Sequence, residues 1–330
     1  MRGGVSTGGA GNRVSLPEMA PSTSAPLAHG QSGDQARDPI GQPLDTTSLA
    51  ARLGYAPDAK LLIVHADDLG VAHSVDAASI KAFETGLVNS GSIMAPCPWF
   101  AEIAAYARSH PETDLGLHLT LTSEWSTYRW GPVMSKDRVP TLLDKDGYLH
   151  PTYTEALARI DPAEAEAEIR SQVERAFSFK IQPSHLDSHM WTLFRSRELF
   201  EALLRVARDY KLPALVSKDW FEKDDYLRTS LGPADIVIDR AIMIHPVGPA
   251  DEWRGLYADA ISNIAPGVTQ MLVHLAYDDE EMRAITVNQP RWGGARRQRE
   301  FDFFTSAAFS TLLDRSNIKL ITWRKLVSIK

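Results

Sequence analysis

Two adjacent aspartates, Asp67 and Asp68, follow directly on the apolar run Leu61-Leu62-Ile63-Val64-His65-Ala66 and lead into Leu69-Gly70. Parallel strands buried on both faces read as continuous apolar runs, and α/β sheets collect their chemistry at the carboxyl ends of such strands. Neighbouring carboxylates repel each other, so the pair calls for a cation between them or a proton on one of them. A bound metal ion answers that demand. A turn in which one aspartate caps the next helix and the other faces water answers it as well. Four histidines favour the metal, because His118, His185, His189 and His274 lie in other short apolar or strand-like segments.

A divalent ion bound for hydrolysis wants two histidines and a carboxylate, with one coordination position left for water. Asp67 or Asp68, with His118 and one of His185 and His189, supplies that set from three separate strand ends. The ion would polarise a carbonyl and acidify its water, while the second aspartate acts as general base. His274 is placed to protonate a leaving nitrogen. Alone in a leucine-rich strand, His118 reads as a hydrogen-bonded core histidine ahead of a ligand. The stretch His185-Leu186-Asp187-Ser188-His189 is more specific, since in an extended chain its three ionisable groups point to one side. Burying each of them costs roughly several kcal/mol unless it is paired or metal-bound. Asp187 is a candidate to orient a ligand histidine. His65 and His245 fit a pocket lining or a core, and His29, His73, His110 and His150 receive no role. The donor set suits zinc or, with more waters, magnesium, and also manganese, cobalt or nickel.

The rest of the chain must position these groups. With 330 residues, 44% hydrophobic and 23% charged, it is long enough for one large α/β domain. A net charge of −7 argues against nucleic acid or an anionic membrane as partner. The single cysteine, Cys97, excludes an intrachain disulfide and a cysteine metal cluster. No apolar run approaches the ~20 residues needed to span a bilayer. Residues 1–45 are rich in Gly, Ser, Pro and Ala and lack the apolar stretch of a signal peptide, so a disordered tail and a cytoplasmic home are expected, with export left open. Residues 46–330 are expected to form one domain.

Strand and helix signals alternate through that domain. Strands are expected over residues 60–66, 87–95, 114–122, 213–217, 267–276 and 318–323, with one or two more over 234–246. Helices are expected over 75–84 with Ser74 as N-cap, and over 99–109, 162–179, 253–264 and 301–313. Ser196 should cap another. Residues 124–154 read as a long loop and residues 291–299 as a basic loop. Repeated β-α units close into a parallel barrel or stack as an open sheet. No Gly-x-Gly-x-x-Gly follows the first strand, which lowers a dinucleotide-binding reading.

Four motifs, in order, resemble those of the YdjC-like (ChbG/HpnK-type) carbohydrate deacetylases. His65-Ala66-Asp67-Asp68-Leu69-Gly70 is similar to Asn-Ala-Asp-Asp-Phe-Gly, and Gly116-Leu117-His118-Leu119-Thr120-Leu121-Thr122 to Gly-x-His-x-x-Leu-Thr. His185-Leu186-Asp187-Ser188-His189 matches unaltered, and Pro266-Gly267-Val268-Thr269 through His274 resembles the late motif. The resemblance implies a distorted, TIM-like (β/α) barrel and metal-dependent removal of N-acetyl groups from amino sugars or short chito-oligosaccharides. It implies Asp67 as general base, Asp68, His118 and His189 as ligands of one divalent ion, His274 on the acid side, His65, His185 and Asp187 beside the site, and a homodimer. The chain departs at His65, where the family has Asn, at Met190-Trp191, where further histidines often follow, and at Leu275-Ala276, where the family has Pro-Gly. These departures leave the sugar open. Other readings are a metal-dependent amide or ester hydrolase of another small polar substrate, and a carbohydrate-binding barrel without turnover. Trp125, Trp130, Trp191 and Trp292 suit stacking on sugar rings or packing.

Overall fold

The computed structural model describes residues 48–221, 224–245 and 252–329. The tail expected over residues 1–45 lies outside them. Seven parallel strands carry the architecture: β1 (Lys60–Leu69), β2 (Ser90–Ile93), β3 (Leu115–Leu119), β4 (Leu186–Ser188), β5 (Arg240–Met243), β6 (Gly267–Val273) and β7 (Ile318–Leu320). Their order is β4-β3-β2-β1-β6-β5, and β7 pairs with the first residues of β1. β1 is the centre of the sheet. It pairs with β6 from Lys60↔Gly267 to Ala66↔Val273, and it is buried along nearly its whole length, as its apolar run requires.

The sheet curls until its ends meet. Residues 214–217 bridge β4 through Leu186↔Ala214 and reach the segment leading into β5 through Ser217↔Ile238. Two isolated bridges therefore complete the far wall, and the result is the expected distorted barrel rather than an open sheet. Helices pack outside it, among them His73–Glu84, Phe100–Ser109, Pro162–Ser178 and Arg197–Asp209. Ser196 caps the last of these as expected, its side chain accepting from Leu199 N–H. No described helix is long and apolar enough to cross a membrane.

Three expectations are corrected. Ser74 is not an N-cap: the helix begins at His73, and the Ser74 hydroxyl donates to Asp279 and Glu281 instead. The segment expected as a long loop contains two short 3₁₀ turns and enters a helix at Tyr153, with Thr152 as its cap. The basic loop is mostly helix, because Gly294–Phe304 is helical and a second helix, Ala307–Arg315, starts afresh at the Ser306 cap. The Ala-Arg-Arg-Gln-Arg-Glu stretch carries no apolar stripe. Its inward face is Arg296, Arg297 and Glu300, all buried.

Candidate active site

A cavity of about 310 Å³ opens at the carboxyl ends of the strands, and Asp67, Asp68, His118, Asp187, His189 and His274 all line it. Consecutive residues of a regular strand would face opposite sides. Here the register of β1 against β2 shifts between Ala66 and Leu69, and Asp68 adopts φ 68° inside that irregularity. A bulge of this kind re-aims side chains, and it turns both aspartates into the cavity. The left-handed conformation at a non-glycine residue is strained, and it is held there by what Asp68 contacts.

The two carboxylates have different surroundings. Asp68 Oδ2 accepts a hydrogen bond from Arg297 Nη2 at 2.7 Å, while Oδ1 is buried without one. Oδ1 faces His118 Nε2 at 3.5 Å and His189 Nδ1 at 3.3 Å. Burial alone would raise the Asp68 pKa, yet Arg297 and the neighbouring histidines hold it well below the usual carboxylate range. Asp67 has no guanidinium. Its Oδ1 lies 3.1 Å from His65 Nε2 and its Oδ2 3.9 Å from His274 Nε2, and burial pushes its pKa up.

Each imidazole that faces Asp68 is fixed from behind by a carboxylate. His118 Nδ1 donates to Asp187 Oδ1 at 2.7 Å, which leaves Nε2 as the nitrogen turned towards Asp68. His189 Nε2 donates to Glu124 Oε2 at 3.0 Å, which leaves Nδ1 in the same role. Burial disfavours the charged form of His189, but Glu124 and Asp68 outweigh it and push the pKa up to about 10. Asp187 also reaches back to His65, whose Nε2 lies 3.1 Å from Asp187 Oδ2 and whose Nδ1 meets the Ser90 hydroxyl at 2.9 Å. Between Asp67 and Asp187, burial notwithstanding, His65 is pushed up to about 9. The cation that adjacent carboxylates call for is thus supplied twice, by Arg297 at Asp68 and by His65 at Asp67.

The remaining expected residues fall into place around this centre. His185 is fully buried one layer deeper, stacked on Trp323 at 4.8 Å, and does not line the cavity. The three groups expected on one strand face therefore separate, because only Leu186–Ser188 is extended and His189 opens a 3₁₀ turn. Gly116 makes room for His185, since a Cβ there would lie 2.5 Å from the ring. His274 packs edge-on against Trp292 at 5.4 Å, and its backbone N–H donates to Glu300. Burial, with Arg297 and Arg296 nearby, keeps its imidazole well below the usual pKa and so neutral. His245, Trp125, Trp191 and Trp292 line the cavity, while Trp130 lies behind Trp125. Two residues that contact the centre, Glu124 and Arg297, belong to no motif. The buried carboxylate pair, which needs cations, is the signal that points to Arg297.

One carboxylate oxygen and two imidazole nitrogens, from Asp68, His118 and His189, lie within 4.8 Å of one another. The set fits a divalent ion: Asp68 Oδ1 has no other hydrogen bond, and each histidine turns a nitrogen with its partner already fixed on the far side. The site's surplus negative charge, which raises the imidazoles, is what such an ion would neutralise.

Comparison with known proteins gives the family and the fold. The family model described as "YdjC-like protein" matches residues 61–315. A carbohydrate deacetylase of Thermus thermophilus is 30% identical over 84% of this chain and 97% of its own. One of Thermoanaerobacter pseudethanolicus is 27% identical over 69% of this chain and 85% of its own. Among solved structures, a candidate cellobiose-phosphate cleavage protein of Enterococcus faecalis V583 superposes with a TM-score of 0.68 at 26% identity, over 81% of this chain and 99% of its own.

Proposed function

We propose, from the premise that the chain belongs to the YdjC-like family, that it is a metal-dependent hydrolase removing N-acetyl groups from amino sugars or short chito-oligosaccharides. The relatives named as carbohydrate deacetylases give the reaction class. The observation that carries the metal dependence is Asp68 Oδ1, an orphaned buried oxygen facing two imidazole nitrogens whose other sides are tied to carboxylates.

In this reading Asp68, His118 and His189 hold the ion. A divalent ion there supplies Lewis acidity towards the amide carbonyl and a lowered pKa for water. Asp67 is the general base, suited to it because burial raises its proton affinity while Arg297 serves only its neighbour. His274, neutral at rest and 3.9 Å from Asp67, receives the proton that Asp67 removes and delivers it to the leaving nitrogen. Asp187 and Glu124 hold the tautomers of His118 and His189. The aromatic wall of Trp125, Trp191 and Trp292 takes the sugar rings.

The test is release of acetate from N,N′-diacetylchitobiose by metal-loaded protein, with Asp67→Asn as the comparison. The reading expects turnover by the wild type and a loss of about 10²–10⁴-fold in the variant with its metal retained. Bound metal with no acetate released from any N-acetylated sugar would contradict it.

A further inference from the structure

Among the described residues two arginines line the cavity, Arg297 and Arg195, and only the first has an acidic partner. Arg297 donates to Asp68. Arg195 lies on the wall with Tyr153 and Trp191. Among the described residues its one hydrogen bond runs from Nε to the Met190 carbonyl at 3.4 Å, Nη1 and Nη2 have no acceptor, and no carboxylate stands within ion-pair distance. The guanidinium stacks on the Tyr153 ring, its central carbon 3.7 Å from the centroid. In this half-buried place burial pulls its pKa below the usual arginine value, opposed only by two phenols, Tyr153 and Tyr226.

Backbone strain puts the side chain there. Met190 and Trp191 both adopt the left-handed conformation, with φ 50° and 59°, and two consecutive non-glycine residues in that region are costly. The turn they make ties Arg195 to His189, which faces the proposed ion, and it is the stretch where the chain departs from the family motif. Packing does not call for a charge here, because an apolar side chain would cover the phenol ring without losing hydration. A stacked guanidinium, by contrast, turns its free edge outward as a two-pronged donor for an anion. The charge of that anion is limited. One guanidinium balances one negative charge, the cavity already carries Asp67, Asp187 and Glu124, and Arg297 is engaged by Asp68. A phosphate monoester brings roughly two negative charges at neutral pH. A carboxylate brings one, and its two oxygens match the fork.

We infer that Arg195 binds a carboxylate of the substrate, so that the preferred N-acetylated sugar is an acidic one. The inference rests on the deacetylase reading above and names the substrate class of that same site. The reaction is the same hydrolysis: water oxygen bonds to the acyl carbon, the C–N bond breaks, and the products are acetate and the free amine. The carboxylate either replaces the C6 hydroxymethyl group of a sugar ring or hangs from the ring on an ether arm, and the chemistry that recognises it is the same.

The experiment uses the full-length, metal-loaded protein and follows release of free amine from two neutral sugars, N-acetylglucosamine and N,N′-diacetylchitobiose, and from three acidic ones. These are N-acetylglucosaminuronic acid, N-acetylmuramic acid and N-acetylglucosamine 6-phosphate. One of the two carboxylates should exceed the better neutral sugar in kcat/KM by at least about tenfold. Arg195→Leu should lower that ratio by at least about tenfold. Each ratio is taken within one preparation, so a smaller folded fraction does not alter it. Metal-free protein should bind the same carboxylate in calorimetry with a Kd at least about tenfold lower than that of metal-free Arg195→Leu. Carboxylates no better than the neutral sugars, a preference or a Kd unmoved by Arg195→Leu, or a preference for the phosphate over both carboxylates would overturn the carboxylate site and leave the deacetylase reading standing. Failure of all five sugars would overturn both.

Discussion

Arg297 donates to only one oxygen of Asp68: Nη2 lies 2.7 Å from Oδ2, and Oδ1 is left facing His118 and His189. This asymmetry divides the labour of two adjacent carboxylates. Arg297 both fixes the Asp68 carboxylate plane and keeps it ionised, while Asp67, one residue away, lacks a guanidinium and has a raised pKa. A ligand must stay charged and a general base must have enough proton affinity to take up a proton, and the placement of one arginine on Asp68 serves both needs.

Removing that arginine leaves a buried carboxylate without its partner. Arg297→Leu should destabilise the metal-free protein by about 3–5 kcal/mol, the usual result of breaking a buried ion pair. Because a divalent ion would neutralise the same carboxylate, saturating metal should raise the melting temperature of the variant more than that of the wild type. Equal metal-induced shifts in calorimetry would count against this account.

Asp187 is expected to act on His118 rather than on substrate. Asp187→Asn keeps the shape but weakens the acceptor for His118 Nδ1–H, and should lower metal affinity by about 10–100-fold. Its kcat at saturating metal should recover most of the wild-type value. A variant that binds metal normally and still loses turnover would assign Asp187 a different role.

How much of this was legible in the residues depends on what kind of signal each carries. Asp67 and Asp68 stand out because ionisable groups at the end of an apolar strand are costly without a reason, and His185-x-Asp-x-His189 stands out for the same cause. The bulge that lets both aspartates face one cavity is not legible, since nothing in Ala-Asp-Asp-Leu announces a left-handed Asp68. Glu124 sits alone among tryptophans, and Arg297 is one of several arginines in a helix whose inward face is charged rather than apolar, so hydrophobic periodicity reads it as a loop. The repeated β-α architecture was visible in the alternation of strand and helix signals, and the barrel came from the family resemblance. Its closure was not, because the strand expected over residues 213–217 meets its neighbours only through the single bridges Leu186↔Ala214 and Ser217↔Ile238.

Asp76 gives a prediction about pH. It is buried, its Oδ1 accepts the Gly70 N–H at 2.6 Å, its Oδ2 has no hydrogen bond, and burial first, with Glu102 and Glu281, holds its pKa well above 3.8. A folded-state pKa raised above the unfolded one means that stability is greatest below the unfolded value and declines as pH rises towards the folded one. Asp76→Asn keeps the acceptor and cannot ionise. Its melting temperature should therefore match the wild type near about pH 4 and exceed it increasingly towards about pH 7. The same difference at every pH would show that Asp76 does not ionise at a cost in the folded protein.

The central claim is that Asp68, His118 and His189 share one divalent ion. Titration of metal-free protein with Zn²⁺ or Mn²⁺, followed by calorimetry in the wild type and in His189→Ala, tests it most directly. The account predicts one ion per chain in the wild type and a loss of affinity greater than about 100-fold in the variant, beyond what removing an outer hydrogen-bond partner costs. Unchanged stoichiometry and affinity in His189→Ala would contradict it.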